Sequence, residues 1–303
     1  MGNGHRKQQP HSLLPCGFTN EGSIQGAVTF YFATIGQLGT TGSTFANNAG
    51  GNITAGSYVG MGAGTTFIQD SGIVSQSGGL SGFAELDGGS LDVTGPGAAE
   101  FFAFDTVSMT GDLQPGQALD IAGTTGGYGS ACAAQDGIVN ATGSFTNNGT
   151  ISMFLTSDPS CPAANSALTV PAGGVITNRG ETQAAAGKSP RGSRTISGTV
   201  DNAGGTIAVD SGEHLTISPG SVDNAGTVQL GGLLAVSGDF TQEPSGTTIG
   251  ATTGQLQATV PVGRGADRRC DFMTPGPVRA APGPAPRRAR RRVDVRQRTA
   301  GRL

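Results

Sequence analysis

One short phrase returns along this chain in a fixed order: an apolar residue, Thr or Asp, Asn, any residue, Gly, Thr or Ser, then Ile or Val. Phe145-Thr146-Asn147-Asn148-Gly149-Thr150-Ile151 is its cleanest copy. Phe18 to Ile24, through Asn20 and Gly22, and Val222 to Val228, through Asn224 and Gly226, match it without a gap. Val200 to Ile207 carries one extra glycine, with Asn202 and Gly204 in the turn; Phe45 to Ile53 is a stretched copy through Asn47. Ile176 to Gly180 keeps the first half, with Asn178 in place. The later copies lie 31, 24 and 22 residues apart, counted from the Asn, and Phe240-Thr241-Gln242 follows 18 further on. Recurrence on this scale marks a repeat architecture, whose units are each too small to bury an apolar face alone.

A second element sits between the copies and reads Leu, any residue, Val or Ile. Leu91-Asp92-Val93, Leu119-Asp120-Ile121, Leu168-Thr169-Val170, Leu215-Thr216-Ile217 and Leu234-Ala235-Val236 are its examples. Both elements alternate apolar with polar, the period of a strand with one buried face. Asn-x-Gly between them is turn chemistry, since Asn tolerates and Gly readily adopts left-handed backbone. Strands of three to five residues, roughly 20 residues per coil, are stable only if successive coils stack, pair in parallel and pile their apolar side chains into one column. The fold expected over 17–262 is therefore all-β, a parallel β-solenoid of the right-handed β-helix kind. The turn asparagines should ladder along its axis.

Composition agrees. Among 303 residues there are 53 Gly and no Trp, and 13% are charged. Glycine costs about 1 kcal/mol per helix-interior position relative to Ala, which excludes a helical protein. The glycines keep no three-residue period, which excludes collagen. A β-sandwich needs bulky aromatics for a wide interior, and only 5% of residues are aromatic.

Charge divides the chain sharply. Residues 1–262 hold 6 Lys or Arg against 18 Asp or Glu, a net of -12; residues 263–303 hold 12 Arg and 3 Asp, a net of +9. The latter stretch, with Arg287, Arg288, Arg290, Arg291 and Arg292 among Pro and Ala, cannot bury enough apolar area to order itself. It reads as a disordered basic tail with the residue usage of a shifted reading frame, and is assigned no function. Residues 1–16 read as a disordered N-terminal segment with no apolar run long enough for an export signal or a membrane span.

The stretches Thr146-Asn147-Asn148-Gly149-Thr150-Ile151 and Leu234-Ala235-Val236-Ser237-Gly238-Asp239-Phe240-Thr241-Gln242 resemble repeats of bacterial secreted β-helix proteins, the kind found in autotransporter passengers and haemagglutinin-like adhesins. The likeness runs over about 17–255, is clearest from 138 to 250, and is loose over 96–137. It implies export, an extracellular or cell-surface location, and a structural or adhesive role without catalysis. A transporter barrel, anchor or sorting signal, which such proteins carry, is not recognisable in the sequence.

Little else carries chemistry. Cys132 and Cys161 lie in turn-rich stretches about one long coil apart and could bridge two stacked loops in an oxidising compartment. His5, His11 and His214 with no Cys-x-x-Cys give no metal site, and no cofactor is expected. Gly187-Lys188-Ser189 lacks the upstream Gly and the strand-then-helix frame of a phosphate loop. Glu213-His214 reads as a solvated pair beside a strand.

An enzyme acting on polysaccharides is the main alternative, but it needs carboxylates clustered on neighbouring coils. Asp92, Asp105, Asp112 and Asp120 look isolated, and Asp201 and Asp223 occupy equivalent repeat positions that would stack one coil apart. An ice-binding face is a further alternative, resting on Thr150, Thr206 and Thr227 at one repeat position. The expected partner is a surface glycan or protein met by loops within 96–140 and 152–168, or a second copy through the solenoid ends. Nucleic acid is not an expected partner.

Overall fold

The computed structural model describes residues 18–20, 23–26, 30–32, 44–49, 52–55, 58–61, 65–70, 73–76, 83–127, 130–156, 163–187, 192–260 and 289–294. Their regular structure is all strand, wound as a parallel β-solenoid with three faces.

A first face runs in parallel register from Phe18–Asn20 through Thr44–Asn47, Thr66–Gln69, the end of Phe83–Val93 and the end of Ala99–Gly111. It continues through Gly137–Ala141, Ser166–Thr169, Arg194–Ser197, His214–Ile217 and Leu233–Val236 to Gln255–Val260. A second face runs from Phe30–Phe32 and Tyr58–Met61 through the starts of Phe83–Val93 and Ala99–Gly111 to Gln117–Gly127 and Thr150–Thr156. Glu181–Ala184, Thr206–Val209, Thr227–Leu230 and Thr247–Gly250 complete it. The third face lies between them in chain order. It comprises Ser23–Gly26, Asn52–Ala55 and Ile73–Gln76, then separately Phe145–Asn147, Val175–Asn178, Thr199–Asn202, Val222–Asn224 and Phe240–Gln242.

Period-two alternation sorts each strand into an inner and an outer row. The inner rows stack by type across rungs. Val107, Val139, Leu168, Ile196, Ile217, Val236 and Ala258 form one column, and Phe145, Ile176, Val200, Val222 and Phe240 another. All but Phe240, on the outermost rung of its face, are buried. A buried Val, Leu, Ile or Phe contributes about 1.5–3 kcal/mol relative to exposure, so the column holds together strands that are individually too short to persist.

The repeated phrase does not keep to one corner. In the later half it turns from the third face to the second, as Phe145–Asn147 gives way to Thr150–Thr156. In the earlier half it turns from the first face to the third, as Thr44–Asn47 gives way to Asn52–Ala55. The change of corner falls where the repeat is loosest. There, Phe83–Val93 and Ala99–Gly111 each run over a corner as one strand, bent at Gly88 and Gly89 (φ 70 and 115) and at Asp105 (φ 55). Asp is among the few non-glycine residues that accept such backbone. The expectation of loops over 96–140 is thus corrected: most of the stretch is solenoid rung, and the departure is a hairpin, Ser130–Gln135 folding antiparallel onto the end of Gln117–Gly127.

In the basic tail, Ala289–Asp294 is described, antiparallel to Gln255–Val260. The rest of the tail and residues 1–16 lie outside the described residues.

Candidate functional site: two carboxyls beside three phenylalanines

The repeat residues set the frame of the solenoid. Asn147, Asn178, Asn202 and Asn224 are fully buried and form a side-chain ladder. Asn147 Nδ2 donates to Asn178 Oδ1 at 2.9 Å, Asn178 to Asn202 at 2.8 Å, Asn202 to Asn224 at 2.6 Å, and Asn224 to Gln242 Oε1 at 3.1 Å. Each amide also donates to a backbone carbonyl: those of Glu181, Thr206, Thr227 and Thr247 in turn. Asn20 and Asn47 are in register on the first face, and Asn47 Nδ2 donates to Gln69 Oε1 at 3.4 Å, a contact of the same kind one rung on. Gly22 lies outside the described residues.

The turn glycines do a different job from the one their sequence suggests. Gly149, Gly180 and Gly226 are not in left-handed backbone; they are glycines because the turns stack with no room between them. A Cβ on Gly180 would strike the Gly149 carbonyl, and one on Gly226 the Gly205 carbonyl. Gly205, not Gly204, holds the equivalent place in the Asn202 turn; Gly204 is the inserted residue, at φ +90 with open space around it.

Glu213 is corrected as well. It is buried, not solvated, and pairs with Arg194 Nη1 at 2.6 Å across neighbouring rungs, while His214 is exposed. Arg194 also donates to the carbonyls of Met153 and Ala185, and Glu213 accepts from the Gly187 amide. Burial acts first on Arg194, lowering its pKa, and Glu213 opposes that shift. The pair ties together the ends of the segment between Ala185 and Arg194. Asp201 and Asp223 do stack in register on the outer row of the third face, flanked by Thr177 and Thr241. Thr206, Thr227 and Thr247 stack on the second face, but Glu181 separates them from Thr150. Of the bridge expected between Cys132 and Cys161, Cys161 and the Cys132 side chain lie outside the described residues.

The chemically distinctive place is on the second face, where outer rows carry aromatic rings. In Ala99–Gly111 the inner positions are Phe101 and Ala103, leaving Glu100, Phe102 and Phe104 on the outer row. Phe102 is in register with Asp120, and Asp120 with Ser152; Ala122 is in register with Phe154. Phe102 stacks on Phe104 at 6.0 Å between centroids and meets Phe154 edge-on at 5.8 Å. Phe102 and Phe154 sit two rungs apart, and their rings meet diagonally across the rung that carries Asp120 and Ala122 on its outer row. Asp120 is left 9% exposed beside this aromatic cover.

Burial is the largest influence on Asp120 and pushes its carboxyl up to about 7; a hydrogen bond with Glu100 and the Glu100 charge push the same way, and a hydrogen bond from Ser152 opposes them. Two carboxyl groups can hydrogen-bond to each other only while one of them carries a proton. Asp120 is therefore the carboxyl that holds its proton more tightly, with Glu100 beside it on the preceding rung.

Sequence reasoning took Asp120 for an isolated acid. The available signal was Glu100-Phe101-Phe102-Ala103-Phe104, a strand with large apolar side chains on both faces.

No family model, curated protein or solved structure matches the chain. Its class is defined by the winding itself: it is a parallel β-solenoid repeat protein. No helix among the described residues is long and apolar enough to cross a membrane.

Proposed function

We propose that the solenoid is a non-catalytic scaffold, a stalk or adhesin-like segment of an exported bacterial surface protein. The supporting observation is the uninterrupted parallel ladder of the first face, from Phe18–Asn20 to Gln255–Val260. A structure of that kind spends its sequence on stacking: its interior is filled by apolar columns, and its buried asparagines bond to one another along the ladder. Export would also supply the oxidising compartment that a Cys132–Cys161 bridge needs. Protease treatment of intact source cells tests the reading. Loss of the protein from intact cells is the expected result; a protein degraded only after lysis overturns it.

A second reading, contact with a polysaccharide, is favoured by Glu100 and Asp120 with their aromatic neighbours. Hydrolysis of a sugar chain needs two carboxyls about 5–9.5 Å apart with room for a water between them. Retention on an immobilised polysaccharide with no release of reducing ends is the outcome that would favour binding.

A further inference from the structure

We propose that the tail strand Ala289–Asp294 is a cap held in cis: it occupies the open edge of the first face, by which one solenoid would otherwise join a second copy of the chain. Among the described residues the parallel winding stops at one strand on each face, and the three differ in how well they protect themselves. Phe240–Gln242 closes the third face with three residues and runs into Glu243-Pro244. Thr247–Gly250 closes the second with four and ends in glycine. Short strands, charge and proline all discourage a further strand from pairing. Gln255–Val260 closes the first face with six residues and contains no charge, glycine or proline. It is the edge most in need of cover, and it is the edge on which the tail lies, in register along all six residues.

The backbone shows how the cover is fastened. The Gln255 amide donates to the Gly232 carbonyl at 2.8 Å, toward the preceding rung. Successive residues of a strand address opposite edges, so Leu256, Ala258 and Val260 turn their amides and carbonyls to the open one. Their register partners are Val293, Arg291 and Ala289. Those pairs are the ones in which antiparallel strands exchange both hydrogen bonds. Burial agrees. Leu256 is 3% exposed although no parallel rung follows it, whereas Phe240, equally outermost on the third face, is only partly buried.

The tail ends the winding instead of extending it. It runs against the direction of the ladder, and it puts Arg291 at the register position over Ala258, in line with Ile217 and Val236. Arg290, Arg291 and Arg292 give the new outermost strand three consecutive charges, which discourage another strand from adding. A segment so poor in apolar residues does not order alone; it orders by taking up the hydrogen bonds of the ladder's edge, and it can be displaced from there.

The test uses the full chain, so every variant leaves the solenoid sequence intact. Arg291→Pro combined with Val293→Pro removes two amides that donate to Gln255–Val260. Arg292→Pro removes one that faces solvent, where proline is tolerated. Arg291→Gln keeps the amide and removes a charge. Light scattering over a range of concentrations reads association, and hydrogen exchange of segment 255–260 reads the cap. Wild type, Arg292→Pro and Arg291→Gln should remain monomeric, with 255–260 as protected as 233–236. In the double proline variant, exchange of 255–260 should quicken about tenfold or more, and the mass should rise with concentration. A double variant that stays monomeric overturns the proposal. So does equal association of Arg291→Gln, which would make charge and not strand pairing the thing that keeps copies apart. Wild-type exchange of 255–260 at the rate of an unstructured peptide overturns it without any variant.

Discussion

Asn202 shows how much one side chain supports. Its amide donates to Asn224 at 2.6 Å and to the Thr227 carbonyl at 3.1 Å, while its own oxygen accepts from Asn178 at 2.8 Å. Truncation to alanine strands a donor on Asn178 and two acceptors on the next rung, all in a buried site. An unmade buried hydrogen bond costs about 1–3 kcal/mol, and here several are lost together. Asn202→Ala should therefore destabilise by at least 3 kcal/mol in urea unfolding, roughly the cost of the first two groups. Asp223→Ala, on an exposed outer row one rung away, should stay within about 0.5 kcal/mol of wild type. The ladder was legible in the sequence because one residue type returns to one slot in consecutive copies. Asp120 was not legible, because its partner Glu100 belongs to a different strand and neither lies in the repeated phrase. Glu213 was misread for a related reason: its position beside an exposed histidine says nothing about Arg194, which reaches it from the neighbouring rung.

At the scale of the turn, the physical role of a glycine depends on what stacks beneath it. Asn-x-Gly reads as a left-handed turn signal, and on that reading Gly204 and Gly226 are equivalent. The structure separates them. Gly226 sits over the Gly205 carbonyl in ordinary backbone, whereas Gly204 has left-handed backbone and free space. An added methyl at Gly226 must push two rungs apart, against the bond from the Thr227 amide to the Gly205 carbonyl at 2.8 Å. Overpacking of that kind costs about 1–3 kcal/mol. At Gly204 the methyl meets nothing, and the cost is the backbone preference alone, about 1 kcal/mol. Thermal unfolding of Gly226→Ala, Gly205→Ala and Gly204→Ala should place the first two together and well below the third. Equal midpoints for all three would return the glycines to a purely conformational role. Spacing alone could not make this distinction, since an inserted residue can be absorbed on either side of the stacked position. The shift of the phrase from one corner to another was illegible for the same reason: a repeated phrase specifies a corner, but not which of three.

For the whole molecule, stability should be a sum over rungs and their interfaces, because most contacts of a rung are with its neighbours. That makes a deletion in phase with the winding different in kind from one out of phase. Removing residues 225–242 joins Asn224 to Glu243, so Asn224 takes the terminal ladder place now held by Gln242. Thr247–Gly250 would then meet Thr206–Val209, and Gln255–Val260 would meet His214–Ile217, placing Leu256 on Leu215 and Ala258 on Ile217 in the existing columns. Both members of the Arg194–Glu213 pair remain. The shortened chain should fold with the same strand signal per residue and unfold cooperatively. Its urea slope should be lower, because one rung less of apolar surface is exposed on unfolding. Removing nine residues, 225–233, breaks the register of all three faces at once, and that variant should lose the rungs beyond the cut. If the two deletions are equally destructive, the rungs are not interchangeable units and the additive account fails. If the in-phase deletion alone is tolerated, the fold is specified rung by rung, and rungs could be removed or added one at a time without redesigning the rest.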